Sequence, residues 1–390
     1  MVVVTGIGLV SALGENLETS WQNLIAGKTG IKLHQPFPEL EPRPLAMIAD
    51  QPVELQKLTR LVVDFAIQDA GLILPLEDCG VVISSSRGFQ SVWEGIIREQ
   101  EQFRIENYEP INSQNCQARL GTWLDTLPHM NAIATARQIG ATGIVLAPMA
   151  ACATGIWAIA QAAMLIQTGQ CDRVVAGAVE APITPLTITG FQQMGALAKT
   201  GAYPFDQNRE GLVLGEGGAV FVLESQKLAK ARQAKIYGEI LGFGLTADAY
   251  HPNAPEPEGR SGITAIKQCL ARSHLKPRDI DYIHAHGTGT IRNDEVESRV
   301  IAKIMRHRPY VSSTKGATGH TIGASGALGV AFSLMALRSQ LLPPGVGLRK
   351  SGFDLNLVKE SGVDKINHVM CLSFGFGGIN AVIALGNAYN

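Results

Sequence analysis

Two kinds of segment alternate along the chain. Short runs such as 2–4, 80–84 and 173–177 are apolar at nearly every position and read as strands covered on both faces. Longer stretches between them read as helices. Residues 17–26 and 55–70 are two of these, closed by Gly27 and Gly71. A strand-like run at 143–147 leads into a stretch that is nearly free of charge up to Gly169 and reads as a buried helix. Residues 213–223 read as further sheet. The alternation predicts an α/β protein with central sheets covered by helices.

The second half echoes the first. Residues 236–242 resemble the opening strand and turn, 281–285 resemble 81–84, and 368–373 resemble 173–176. Ala317-Thr318-Gly319-His320 precedes a small-residue helix, much as Ala151-Cys152-Ala153-Thr154-Gly155 does. The echo predicts two related halves, 1–226 and 227–390, with a site between them. Residues 90–127 break the pattern. They are polar and poorly periodic, with scattered aromatics, and are expected to leave the core and carry function or an interface.

Composition narrows the class. Of 390 residues, 46% are hydrophobic and 17% charged, which favours a large core over disorder. A net charge of −1 gives no pull toward nucleic acid or an anionic membrane. The six cysteines are scattered, with no CxxC pair, as expected for reduced thiols in a cytoplasmic setting. The opening strand lacks the features of a signal peptide. No run is expected to reach the ~18 apolar residues of a membrane span.

Four places carry candidate chemistry. Cys152 sits where a strand gives way to a buried helix N-terminus, a setting that favours thiolate; its alternative is a small core residue. His284 and His286 end a buried strand before a Gly/Thr turn, and Asp294 lies near the start of the next helix. An HxH pair with later acids could bind zinc, but no dense further ligand set follows, so no metal is expected. Lys315 and His320 flank a glycine-containing turn before a second buried helix. Finally, Ser373-Phe374-Gly375-Phe376-Gly377-Gly378-Ile379-Asn380 sets two aromatics among three glycines. Such a turn exposes backbone N–H groups that could serve as an oxyanion donor or a moving gate, unless it is a plain hairpin loop.

Taken together, these elements resemble the β-ketoacyl-acyl carrier protein synthase family, in its elongating Cys-His-His form. The resemblance runs through Val4-Thr5-Gly6-Ile7-Gly8, Pro204-Phe205-Asp206, Arg209-Glu210-Gly211 and Gly215-Glu216-Gly217. It continues with Cys152, His286-Gly287-Thr288, Lys315 with Gly319-His320, and Gly375-Phe376-Gly377-Gly378. It implies a thiolase-like fold of two pseudo-symmetric halves in α-β-α-β-α layers. It implies decarboxylative Claisen condensation of an acyl thioester on Cys152 with malonyl-acyl carrier protein, extending the chain by two carbons in fatty acid biosynthesis. Roles follow from the same likeness. His286 and His320 stabilise an enolate through Nε2–H donors, and the backbone N–H groups of Cys152 and Phe374 form the oxyanion hole. Lys315 orients His320 and pairs with Glu297. Phe374 gates the site, within the turn that includes Gly375, Phe376 and Gly377. Thr288 and Thr290 support the site, and Arg87 falls on the far end of the acyl pocket. A homodimer served by acyl carrier protein is implied, with no cofactor.

The chain departs from that pattern in several places. His284 stands where an Asn is usual, Gly289 where a Ser is usual, Gly329 where a Glu is frequent, and Leu372 where an Asn is usual. Arg87 replaces an apolar residue. A specialised or polyketide-type ketosynthase is therefore a second expectation. A non-catalytic chain-length partner subunit is a third, which the intact Cys152, His286, Lys315 and His320 oppose. A cysteine hydrolase explains neither the second histidine nor the lysine.

Overall fold

The computed structural model describes residues 1–107 and 123–387. Among them the buried apolar runs form eleven strands joined edge to edge. The first half contributes β1 (Val2–Ser11), β2 (Gly80–Ser84), β3 (Val145–Leu146), β4 (Arg173–Glu180) and β5 (Gly217–Ser225). The second contributes β6 (Gly238–Ala247), β7 (Tyr282–His284), β8 (Tyr310–Ser312), β9 (Asn356–Leu357), β10 (His368–Gly375) and β11 (Ile379–Gly386). The strand order is β1-β5-β4-β2-β3 in one half and β6-β11-β10-β7-β8-β9 in the other. In both halves the first two junctions are antiparallel and the next two parallel. The expected internal echo is therefore real at the level of winding. The halves join where Val2–Val4 pairs with Ile240–Gly238.

Three helical layers cover the strands. Here α1 is Leu17–Ile25, α2 is Leu55–Asp69, α3 is Gln90–Asn107, α4 is Met130–Ile139 and α5 is Thr154–Gln167. Then α6 is Pro185–Gln193, α7 is Arg260–Ser273, α8 is Ile291–Ile304 and α9 is Ser325–Ser339. Helices α2 and α4 cover one outer face, where Val81 and Ile83 of β2 meet Val62, Ala66 and Ile139. Val82 points the other way, into the central cluster with α5 and α9. Helices α7 and α8 cover the outer face of the second half. Both faces of the central strands are thus covered, which is why those strands read as unbroken apolar runs.

The middle layer needs small residues. A Cβ on Gly155 would lie 2.5 Å from the Ala327 nitrogen, and one on Gly326 would lie 2.9 Å from Ile156 Cγ1. Residues Ile322–Ser339 are long and apolar enough to span a membrane, contrary to the sequence expectation, yet 89% of this window is buried inside the protein. It is the core helix of the central layer.

Other expectations change too. Residues 213–216 are not strand; Leu214 makes an isolated bridge to His320, and sheet pairing starts at Gly217. The 90–127 segment opens as the 18-residue α3, not as irregular chain. The rest of that segment from 108 to 122, with Cys116, lies outside the described residues. The echo around the nucleophile also shifts register. Ala151 and Ile322 occupy matching places, each with left-handed φ (46° and 40°) at the start of a short 3-10 turn before α5 or α9. Cys152 thus corresponds to Gly323, not to Thr318.

Candidate active site

The turn that presents Cys152 is tightly tied. Ala150 N–H donates to Thr154 Oγ1 at 2.9 Å, and that hydroxyl donates to Ala151 O at 2.7 Å. Ser373 Oγ donates to Cys152 O at 2.8 Å, pinning the turn to β10. These bonds hold Ala151 in a conformation that non-glycine residues rarely adopt. Burial pushes the Cys152 thiol up to about 11, against the N–H of Phe376 and the charges of Lys315 and Arg87. The expected thiolate-favouring effect of the helix N-terminus is outweighed by burial, so the resting sulfur carries its proton.

His286 follows β7, where Gly287 turns the chain with φ 40°. A Cβ on Gly287 would lie 2.5 Å from Ser313 Cβ, so the turn needs glycine twice over. Glu297, on α8, accepts from His286 N at 2.6 Å and Gly287 N at 2.7 Å. Lys315 Nζ donates to the His286 carbonyl oxygen and lies 3.5 Å from His286 Nδ1. His320 is clamped by the 213–216 segment, with His320 N donating to Val213 O at 2.6 Å and Gly215 N to His320 O at 3.0 Å. Its Nδ1 accepts from Ile322 N at 3.1 Å and lies 2.8 Å from Ser325 Oγ.

These partners assign the tautomers. Nδ1 accepts in His320, and Nδ1 of His286 faces the lysine ammonium, so each ring carries its proton on Nε2. His320 Nε2 is buried and has no partner. Burial, and then the Lys315 charge, push both histidines well below the ordinary range, so both rings are neutral. The ring centroids are 5.4 Å apart, edge to face. One ligand-capable atom from each of Cys152, His286 and His320 lies within 4.8 Å of the others.

Several expected roles move. Lys315 rests on His286 and not on His320; Ser325 and Ile322 orient His320 instead. Lys315 and Glu297 grip opposite ends of the same residue and form no direct ion pair. Burial raises Glu297 to about 7 and lowers Lys315, each opposed by the other's charge. His284 turns out of the site, with Nε2 at 3.1 Å from Thr314 Oγ1 and Nδ1 at 3.6 Å from Cys371 Sγ. The HxH pair therefore does not converge, and the ammonium beside His286 opposes a divalent cation there.

The gate residues also separate. Phe374 lies in β10 opposite Asn380, its ring edge-on to His286 at 6.2 Å. Phe376 lies in the following 3-10 turn, packs on Phe191 at 5.7 Å, and aims its N–H at the Cys152 sulfur. The backbone N–H turned toward the sulfur is thus that of Phe376, not that of Phe374. Gly375 passes so near the nucleophile that a Cβ would lie 3.2 Å from Cys152 N. Gly377 and Gly378 have φ of 81° and 75°, and the turn is latched by Gly377 N to Pro252 O and Asp248 N to Gly378 O, both 2.8 Å.

A cleft of about 330 Å³ opens onto this group. Cys152, His286 and His320 lie in it, and Thr288, Thr290 and Phe374 help to wall it. The two threonine hydroxyls are 2.8 Å apart, and Thr290 caps α8.

Residues 1–53 and 47–229 match the family model for the β-ketoacyl synthase N-terminal domain, and residues 237–349 match that for its C-terminal domain. The chain belongs to the β-ketoacyl synthase family. A 3-oxoacyl-[acyl-carrier-protein] synthase 2 of Coxiella burnetii is 34% identical over 100% of this chain and 99% of its own. That of Synechocystis is 33% identical over 98% and 97%. A type II polyketide ketosynthase, solved with its acyl-carrier protein and a bound hexaketide, superposes with a TM-score of 0.91 at 26% identity, covering 99% of each chain. A β-ketoacyl synthase from Burkholderia phymatum gives 0.84 at 27% identity, again over 99% of each. The fold is thiolase-like, as the sequence resemblance implied.

Two of the synthase's sequence departures prove to be neighbours. A Cβ on Gly329 would lie 2.7 Å from His284 Cε1 and Nδ1, so the imidazole occupies the room a side chain there would need. Gly289 has φ 80° and would put a Cβ 2.8 Å from Gly211 O. Arg87 lies half-buried with its guanidinium carbon 5.4 Å from the Phe191 ring centroid. Sequence reasoning missed Ser325, Ser373 and Glu180. Ser373 stood at the head of the glycine turn without a role of its own, and Glu180 showed as an acid directly ending an otherwise buried apolar strand.

Proposed function

We propose that Cys152 accepts the acyl chain and that His286 and His320 stabilise the carbanion equivalent that extends it. As a member of its family the chain is a 3-oxoacyl-[acyl-carrier-protein] synthase, which elongates acyl chains by two carbons in fatty acid biosynthesis. One observation carries the division of labour: a buried sulfur and two neutral imidazoles converge, and the unpartnered Nε2 of His320 is left inside the site.

In the first half-reaction Cys152 sulfur attacks the carrier thioester. The carbonyl oxygen becomes an oxyanion held by the N–H groups of Cys152 and Phe376. The carrier thiol leaves and takes up the proton that Cys152 gives up. In the second, the malonyl thioester oxygen faces the Nε2–H groups of His286 and His320. The bond to the carboxyl carbon breaks, carbon dioxide departs, and its electron pair forms the enolate. The enolate carbon attacks the Cys152 thioester, the carbon–sulfur bond breaks, and the thiolate is returned. Each such donor is worth about 10²–10³ in rate. Keeping both rings neutral matters, because an imidazolium would hand the enolate a proton.

Lys315 keeps the His286 tautomer and ring position; Ser325 does the same for His320. Phe376 gates the thiol, and Thr288 and Thr290 line the approach taken by the carrier's arm. Acyl carrier protein is the partner. A homodimer, a cytoplasmic setting and a boundary between halves at 226/227 complete the reading; the free, buried cysteines 79, 152, 171, 269 and 371 support the setting. A non-catalytic partner subunit would have no use for this site. The test supplies acyl and malonyl carriers and weighs the carrier products. A product two carbons longer, absent with Cys152→Ala, supports the reading; no product from folded protein with any chain refutes it.

A further inference from the structure

The cleft opens to Cys152 beside His286 and His320; a chain esterified to the sulfur that leaves this mouth free for the malonyl carrier extends to the opposite side. The surroundings on that side are an apolar cluster in which Cys152 packs with Ile183, Ile188, Phe191 and Ile322, with Phe376 against it. Arg87 closes the cluster at Phe191, its guanidinium over the ring. Arg87 Nε is buried and has no hydrogen-bond partner.

Glu180 is the acid beside it, fully buried at the end of β4. Its carboxylate already accepts from Ser85 Oγ and Ser86 Oγ at 2.5 Å each, Ser86 N at 2.8 Å, and Arg87 N and Gly323 N at 3.0 Å each. The Arg87 side chain shares in none of these bonds. Glu180 balances the charge of the guanidinium through space but leaves its donors unused.

A buried donor without an acceptor is unfavourable, and a methyl-ended chain packed against it would keep it so. An oxygen at that place would satisfy it. We propose that Arg87 is a specificity residue that selects acyl chains carrying a hydrogen-bond acceptor oxygen at the end remote from the thioester. A carboxylate suits the guanidinium fork best. Because Glu180 already supplies a negative charge, a neutral ketone serves as well. The inference rests on Cys152 as the acyl acceptor and names the class of chain it takes.

The test uses the full-length protein and acyl carrier protein loaded with three chains of equal length, ending in methyl, methyl ketone or carboxylate. The rate of Cys152 acylation is read by intact mass, without malonyl carrier. At least one oxygenated chain should acylate about tenfold faster than the alkyl chain, the scale of one net hydrogen bond. Arg87→Met should bring the rates to within about twofold, the oxygenated chain slowing and the alkyl chain quickening. A faster carboxylate alone assigns selection by charge; a faster ketone as well assigns selection by the acceptor oxygen. Equal or faster alkyl transfer in the unmodified protein overturns the proposal, whether or not Arg87→Met folds. So does a preference that Arg87→Met leaves unchanged. Acylation by alkyl chains alone leaves the synthase reading standing, whereas acylation by no chain at all overturns both.

Discussion

The Lys315 ammonium rests on His286, donating to its carbonyl oxygen and lying 3.5 Å from Nδ1. That contact makes Nδ1 the acceptor side of the ring and sends the Nε2 proton into the site. Lys315→Met removes it and leaves Glu297 without its compensating charge. Carbon dioxide release from malonyl carrier should fall about 10²-fold, the scale of one lost oxyanion donor. Acylation of Cys152 should fall less. Parallel assays of gas release and intact mass check the difference.

Acylation should rise with pH through the neutral range and continue past ~8.5, where an ordinary thiol levels off. The cause is the burial that holds Cys152 at about 11. Decarboxylation should show no acid limb near ~6.5, because His286 and His320 are already neutral there. Rates of each half-reaction across pH 5–9 would check both.

Stability should follow a related rule with a definite sign. His284 titrates at about 3 when folded but near ~6.5 when unfolded, so the unfolded chain binds more protons between those values. Its contribution is complete above ~6.5 and is lost as pH falls toward 3; His286 and His320 act in the same direction. Glu216 and Glu297, both at about 7 when folded, act oppositely between ~4.3 and 7, where the folded chain binds more protons. Below ~4.3 that opposition ends while the histidine effect continues, and the depressed carboxyls of Asp206, Glu210 and Glu224 add to it, so thermal midpoints should drop more steeply per pH unit there than between 5 and 6.

Gly329 and His284 should behave as one unit. Gly329→Ala drives a Cβ into the imidazole and should cost about 1–3 kcal/mol. In a His284→Ala background the same change should cost much less. A double-mutant cycle by denaturant unfolding measures the coupling, which additive costs would contradict.

Much of this was legible in the sequence because burial leaves plain marks. Residues 80–83 are apolar throughout since helices cover both faces of their strand, and Gly27 and Gly71 follow α1 and α2 with the positive φ that chain reversal demands. Residues 213–216 look like strand for the same reason, yet they are buried as a clamp on His320. Periodicity cannot tell one kind of burial from the other. Cys152, His286 and His320 could be singled out by their turns, but their convergence depends on two halves folding together. Phe374 and Phe376 look alike in sequence because they flank one glycine, and only the end of strand pairing distinguishes them. The protonated resting thiol was also out of reach. A helix N-terminus is visible in sequence, whereas the depth that outweighs it is not.

The central claim is the division of labour between one sulfur and two imidazoles. Its most direct test is intact-mass measurement of the enzyme after acyl carrier and again after malonyl carrier, for the unmodified protein, Cys152→Ala, His286→Ala and His320→Ala. The account predicts an acyl adduct that Cys152→Ala abolishes. Both histidine variants should still form the adduct but fail to discharge it into a chain two carbons longer. An adduct that survives Cys152→Ala, or histidine variants that discharge it at the normal rate, would contradict the account.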